Sequence, residues 1–220
     1  MLGGMEPTTL DHIALWVSDR DTIADFLTTH TDMHVIERTD KFTLVGTDAR
    51  RGKLTLFDAE GPREPGAFKH VALRVSKLPE GQTEFELGEG VNLVLVETPT
   101  DSEYDLDHVA LYSADPAATA EAYERYGFDS AEPSAEGHPR VEVGGAYVEF
   151  HPGNPGDPEK PLLNHLAVLV DSVEEHIAEA EEMGVVDNVV DAANTRAVFV
   201  WGPERVRIEY VEHKPEFALT

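Results

Sequence analysis

Apolar and polar positions alternate in four short stretches of the chain: LDHIALWV around His12, FKHVALRV around His70, LDHVALYS around His108 and NHLAVLV around His165. A period of two marks a strand with one face toward a core. Each stretch reads His, apolar, Ala, apolar. Helical spacing follows three of the four. Ile23, Phe26 and Leu27 form one face behind Asp19 or Asp21 as a cap. Asp115 caps a second helix, with Pro116 at its first position and Gly127 at its end. Ser172 and Glu175 form a capping-box pattern, and Val173, Ile177, Ala180 and Met183 make a stripe that Gly184 terminates. Behind the helices come strand patterns at 42–45 and 54–57, 140–143 and 146–151, 197–201 and 206–212. The unit is a strand, a helix and about three further strands. The second stretch departs from it: between Ser76 and Gly90 no helical pattern is evident, so this module reads as truncated, keeping its first strand and a last strand, VNLVLVE, that matches RVRIEYVE.

The spacings fall into pairs. His12 and His70 lie 58 positions apart, His108 and His165 57; His12 to His108 is 96, His70 to His165 is 95. This predicts a duplication of halves, each with two modules. Residues 8–98 are the N-terminal half and 105–213 the C-terminal half. The Pro/Gly loops EGPREPG (60–66) and PGNPGDPEKP (152–161) join modules at equivalent places, and the acidic stretch 98–107 joins the halves. The expected fold class is α+β: repeated βαβββ modules forming cup-shaped mixed sheets with helices on their outer faces.

Strand alternation sorts the chemistry by face. His108, Ala110 and Tyr112 share one face, as do His165, Ala167 and Leu169. The closing strands carry Tyr147, Glu149 and His151, and Arg207, Glu209 and Val211, in the same pattern. A carboxylate between apolar neighbours needs a partner, because an unpaired buried one is costly. If first and last strands face one cup, two imidazoles and two carboxylates converge. That donor set suits Fe(II), Mn, Ni, Co or Zn and leaves positions for substrate. In the N-terminal half the equivalent positions hold Val94 and Thr55 or Leu56, so His12 and His70 are expected to be structural and that half metal-free. Glu149 has a second reading, as the ion-pair partner of Arg207. His30, His34, His176 and His213 show no arrangement that suggests chemistry.

Composition narrows the setting. With 17 Lys+Arg against 43 Asp+Glu the formal net charge is −26, which repels nucleic-acid phosphates and anionic lipid. The acids are scattered and Lys is scarce, as expected of a halophilic protein in concentrated salt. No cysteine is present, which excludes disulfides and thiolate sites. The start, MLGGMEPTTL, has neither a basic nor a long apolar run. A cytoplasmic protein acting on a small molecule is expected, with homo-oligomerisation left open.

The repeated DH-[IV]-AL strands, the YERYGF helix end and WGPERVRIEY together resemble the vicinal oxygen chelate superfamily. It includes glyoxalase I, the extradiol ring-cleaving dioxygenases and the bleomycin-resistance proteins. The resemblance implies paired βαβββ units cupped around one divalent metal. Its module order implies an enzyme similar to an extradiol (catechol 2,3-) dioxygenase, with His108, His165 and Glu209 holding Fe(II) and Glu149 as a candidate fourth ligand. A glyoxalase I-like lyase or isomerase, or a metal-free binding protein, are the alternatives. The His and Tyr that dioxygenases carry before the final Glu are absent: Phe199 stands at the Tyr position. His151 and Tyr112 are the candidate catalytic substitutes, and Tyr147 and Arg207 the candidate substrate-binding residues.

Overall fold

Fifteen strands and three α-helices in the computed structural model, which describes residues 7–220, divide into two mixed sheets. The first module supplies β1 (Thr9–Val17), α1 (Arg20–His30), β2 (His34–Arg38), β3 (Phe42–Asp48) and β4 (Arg51–Asp58). The second supplies β5 (Phe68–Val75), β6 (Glu84–Glu86) and β7 (Asn92–Glu97), with no helix. The third has β8 (Asp105–Ser113), α2 (Pro116–Tyr123), β9 (Asp129–Ser130), β10 (Arg140–Val143) and β11 (Ala146–Pro152). The fourth has β12 (Leu163–Leu169), α3 (Val173–Met183), β13 (Val186–Asp191), β14 (Thr195–Trp201) and β15 (Arg207–His213).

Asp19 and Asp115 cap α1 and α2, each accepting an N–H of the first turn. Ser172 precedes α3 but makes no side-chain cap bond; Glu212 of β15 accepts the Val173 N–H at 2.9 Å instead. That corrects the capping-box expectation: a tertiary carboxylate has taken the local one's place. Gly184 ends α3 in the left-handed conformation, at φ 69°.

The pairing of modules differs from the expected one. One sheet runs β13-β14-β15-β12-β1-β4-β3-β2 and joins the first module to the fourth; the other runs β6-β7-β5-β8-β11-β10-β9 and joins the second to the third. The halves 8–98 and 105–213 are therefore not separate units, since each gives one module to each sheet. The two Pro/Gly loops are the crossovers between sheets. They run side by side, with a bridge between Glu64 and Pro161 and a bond from Leu162 N–H to Glu64 C=O of 2.7 Å. Each is too long and too rich in proline for a hairpin, so the chain leaves the sheet. The link from β7 to β8 is short and stays within one sheet.

Ile13, Leu15, Leu54 and Leu56 of one sheet join Val71, Leu73, Val109, Leu111, Val148 and Phe150 of the other in a single core, with Ile23 and Leu27 of α1 and Tyr123 of α2. The histidine faces point away from that core, one on each sheet. Both strand pairs at the sheet centres are bulged at the same places. In β1–β12 the shifts flank Asp11 and Asn164; in β5–β8 they flank Lys69 and Asp107. A bulge gives one strand an extra residue and re-aims its side chain. Here the extra residue immediately precedes each histidine, so both lie on the cup side.

Candidate metal centre

His12 of β1, His165 of β12 and Glu209 of β15 converge in the first cup. In the ladder, His12 pairs with Ala167 and Ala167 with Glu209, so His12 and Glu209 flank one small residue in a row across three strands. His165 pairs with Ala14 one step along the face. Nε2 of His12 lies 2.9 Å from Nε2 of His165. Oε2 of Glu209 lies 3.2 Å from the first and 2.9 Å from the second. Two donors about 2.1 Å from an ion and at right angles about it would be roughly 3.0 Å apart. The three atoms therefore fit three adjacent positions on one divalent ion.

The surroundings prepare these donors. The His12 Nδ1–H donates to Asp11 at 2.7 Å, and the His165 Nδ1–H to Asn164 at 2.9 Å, which leaves each Nε2 toward the cup. Asp11, 1% exposed, also accepts from Lys53 Nζ at 2.8 Å and contacts His213 Nε2 at 3.1 Å. Burial works against charge on His12, but the Asp11 and Glu209 carboxylates outweigh it and raise its pKa to about 9. Burial likewise opposes the Glu209 carboxylate, yet His165 and His12 hold it down to about 2. On His165 burial wins, and its pKa is lowered. Two imidazole nitrogens and one carboxylate oxygen thus face a single point.

Thr55 of β4 pairs with Ala14 as Glu209 pairs with Ala167. It is the counterpart of Glu209 in the first module, and a neutral hydroxyl is a poor ligand beside a carboxylate. The cavity over the triad is about 390 Å³, with Phe42, Phe57, Phe199, Val190 and Val211 in its wall. The tail after β15 closes one side, where Phe217 stacks on His213 at 4.2 Å between ring centres.

Two of the four expected ligands are thus elsewhere. His108 and Glu149 belong to the second sheet, because β8 pairs with β5 rather than β12. His12, expected to be structural, lies beside His165 and Glu209 where His108 was expected. His151 and Tyr112 line the second cup and do not face the His12 cluster. Tyr147, also on the second sheet, lies under the Arg140 guanidinium, 4.0 Å from the ring centre. Arg207 is committed to Asp187 at 2.5 Å and to the Phe199 ring at 4.1 Å, so it is not the partner of Glu149. His213 was missed because Asp11 meets it only through tertiary packing. A trace of His12 was present in the sequence: its Asp-His pair repeats at 107–108.

Two mixed, open cup-shaped sheets built from βαβββ-like modules are a fold of the glyoxalase type. Residues 9–86, from β1 to β6, match the model of the glyoxalase/bleomycin resistance protein/dioxygenase superfamily. The superfamily includes metal-dependent enzymes, glyoxalase I and extradiol dioxygenases among them. A Bacillus subtilis protein provisionally described as a dioxygenase has the same fold at TM-score 0.72 and 15% identity, over 98% of this chain and 88% of that one. Glyoxalase I from Zea mays follows: a variant superposes at TM-score 0.70 and 15% identity over 93% of both chains, and another structure of it at 0.64 and 15% over 95% and 92%. At such identity the likeness establishes the fold. No curated protein sequence matches the chain. Among the described residues no helix is long and apolar enough to cross a membrane.

Proposed function

We propose that the chain is a divalent-metal-dependent enzyme of the extradiol dioxygenase type, acting on a small aromatic diol. The observation that carries this reading is the donor count in the first cup: two imidazoles and one carboxylate, with Thr55 where a fourth ligand would stand. Three protein ligands on one face leave positions for two adjacent substrate oxygens and for dioxygen, the arrangement of non-haem Fe(II) oxygenases. His12, His165 and Glu209 would hold the ion, with Fe(II) favoured over Mn, Ni, Co or Zn. When bound, the ion supplies Lewis acidity toward the diol and, as Fe(II), electrons toward dioxygen.

This chain's residues do the rest. Phe42, Phe57 and Phe199 offer an apolar wall suited to a ring. Asp11 and Asn164 hold the two imidazoles in the tautomer that offers Nε2. His213 lines the cavity without belonging to the triad, and Asp11 orients it. It is the group placed to take a proton from the diol.

Oxygen consumption decides the reading. Metal-free chain is loaded anaerobically with Fe(II) and catechol, then exposed to air. One dioxygen taken up per ring-fission chromophore formed is expected, with both lost in His165→Ala and His12→Ala. Metal-loaded chain that takes up no oxygen with any catechol tried, or isomerises a hemithioacetal without oxygen, would replace this reading with the glyoxalase one. Failure of His12→Ala and Glu209→Ala to lower metal content would remove the site itself.

A further inference from the structure

The second cup repeats the row across three strands that defines the first. His70 of β5 pairs with Ala110 of β8, and Ala110 with Glu149 of β11; His108 pairs with Ala72 one step along. Residue for residue this is the register of His12, Ala167, Glu209, His165 and Ala14. Nε2 of His70 lies 3.0 Å from Nε2 of His108, the spacing seen in the first cup. Asp107 accepts the His108 Nδ1–H at 2.7 Å and turns its Nε2 into the cavity. Glu149 is 7% exposed and lines the same cavity, which is about 790 Å³. We propose that the second cup is a second divalent-metal site, with His70, His108 and Glu149 as its ligands.

Two substitutions set it apart. Lys69 stands where Asp11 does, so no acceptor fixes the His70 tautomer. Glu149 is turned toward a neighbour: its Oε1 lies 2.8 Å from His151 Nε2, while His151 Nδ1 faces Lys69 Nζ at 3.0 Å. Loading an ion here requires the Glu149 carboxylate to leave His151 and swing to the histidine pair. Both features lower affinity. Loss of a second-shell partner alone weakens metal sites by about 10–100-fold, so this site should saturate at least about tenfold above the first. The donors select a borderline ion such as Co(II), Ni(II) or Zn(II).

The proposal does not depend on the first cup being occupied. Metal-free chain is titrated with Co(II), following the visible absorption of the ion and the Co content after gel filtration. Wild type should take two ions per chain in two steps. A His70→Ala/Glu149→Ala variant should keep only the tighter step, and a His12→Ala/Glu209→Ala variant only the weaker. His151→Ala, which frees Glu149, should shift the weaker step to lower Co(II). Circular dichroism checks that each variant is folded; His70→Gln replaces the second-cup variant if that one is not, and His12→Gln the first-cup one. If the second-cup variant binds as wild type does, the proposal is overturned. If only the second-cup variant loses metal, the proposal stands and the metal site of the proposed function falls.

Discussion

Asp11, Asp107 and Asn164 each sit one position before a strand histidine and accept its Nδ1–H within 2.9 Å; Lys69, before His70, carries no acceptor. The difference shows in the proton affinities. Against burial, carboxylates hold His12 up at about 9; burial, helped by His108 and Lys69, pushes His70 down to about 3. Both start from 6.5, and stability follows in opposite senses. The folded state favours protonated His12, so its contribution is whole below pH 6.5 and is lost as pH rises through about 9. The folded state resists protonation of His70, so stability falls as pH drops from 6.5 toward 3, and buried His165 and His176 pull the same way. The thermal midpoint of metal-free chain should therefore peak near pH 6.5. His12→Asn should flatten the alkaline limb and leave the acid limb in place. An alkaline limb unchanged by that substitution would mean His12 is not held protonated.

Among the elements, the hairpin between β10 and β11 turns through Gly144 and Gly145, at φ 56° and 83°. The two glycines differ in their surroundings. A Cβ on Gly144 would lie 2.0 Å from the Thr8 carbonyl oxygen, just before β1 of the other sheet, whereas one on Gly145 would meet nothing within 4 Å. Gly145→Ala should cost only the left-handed backbone strain, about 1 kcal/mol. Gly144→Ala must also move the contact between sheets and should cost at least about 2 kcal/mol more in urea unfolding. Equal losses would show that the contact is dispensable. Elements of this kind were legible to differing degrees. Asp19, Asp115, Pro116 and Gly184 act through neighbours in sequence, and α1, α2 and α3 fall where those residues predict. Strands β2 and β13 did not announce themselves, because they lie at sheet edges with most residues exposed and no alternation to read. The repeat is plain in the sequence, and His165 and Glu209, which it sets on one cup, lie 2.9 Å apart. That His12 rather than His108 lies beside them is not, because four near-identical first strands carry no mark of which one pairs with which. Spacings of 57 or 58 suit either arrangement equally.

At the scale of the molecule, the charge of −26 acts on every element at once. Surface carboxylates repel one another over the Debye length, which is about 10 Å at 0.1 M salt and about 3 Å at 1 M. Screening should therefore stabilise this chain: its thermal midpoint should rise by roughly 5 °C or more between 0.1 and 1 M KCl, most of it at the lower concentrations. A flat or falling midpoint would show that ion pairs such as Arg207–Asp187 outweigh the repulsion. The crossed pairing of modules has a consequence in time. His70 and His108 are 38 positions apart, but His12 and His165 are 153 apart. At about 5–20 residues per second, synthesis brings β4 to one edge of β1 early but leaves the other edge waiting roughly 8–30 s for β12. The second cup is complete before β12 exists. The pair His70–His108 can therefore form early on a nascent chain, and the cluster of His12, His165 and Glu209 is the last part of the protein to close.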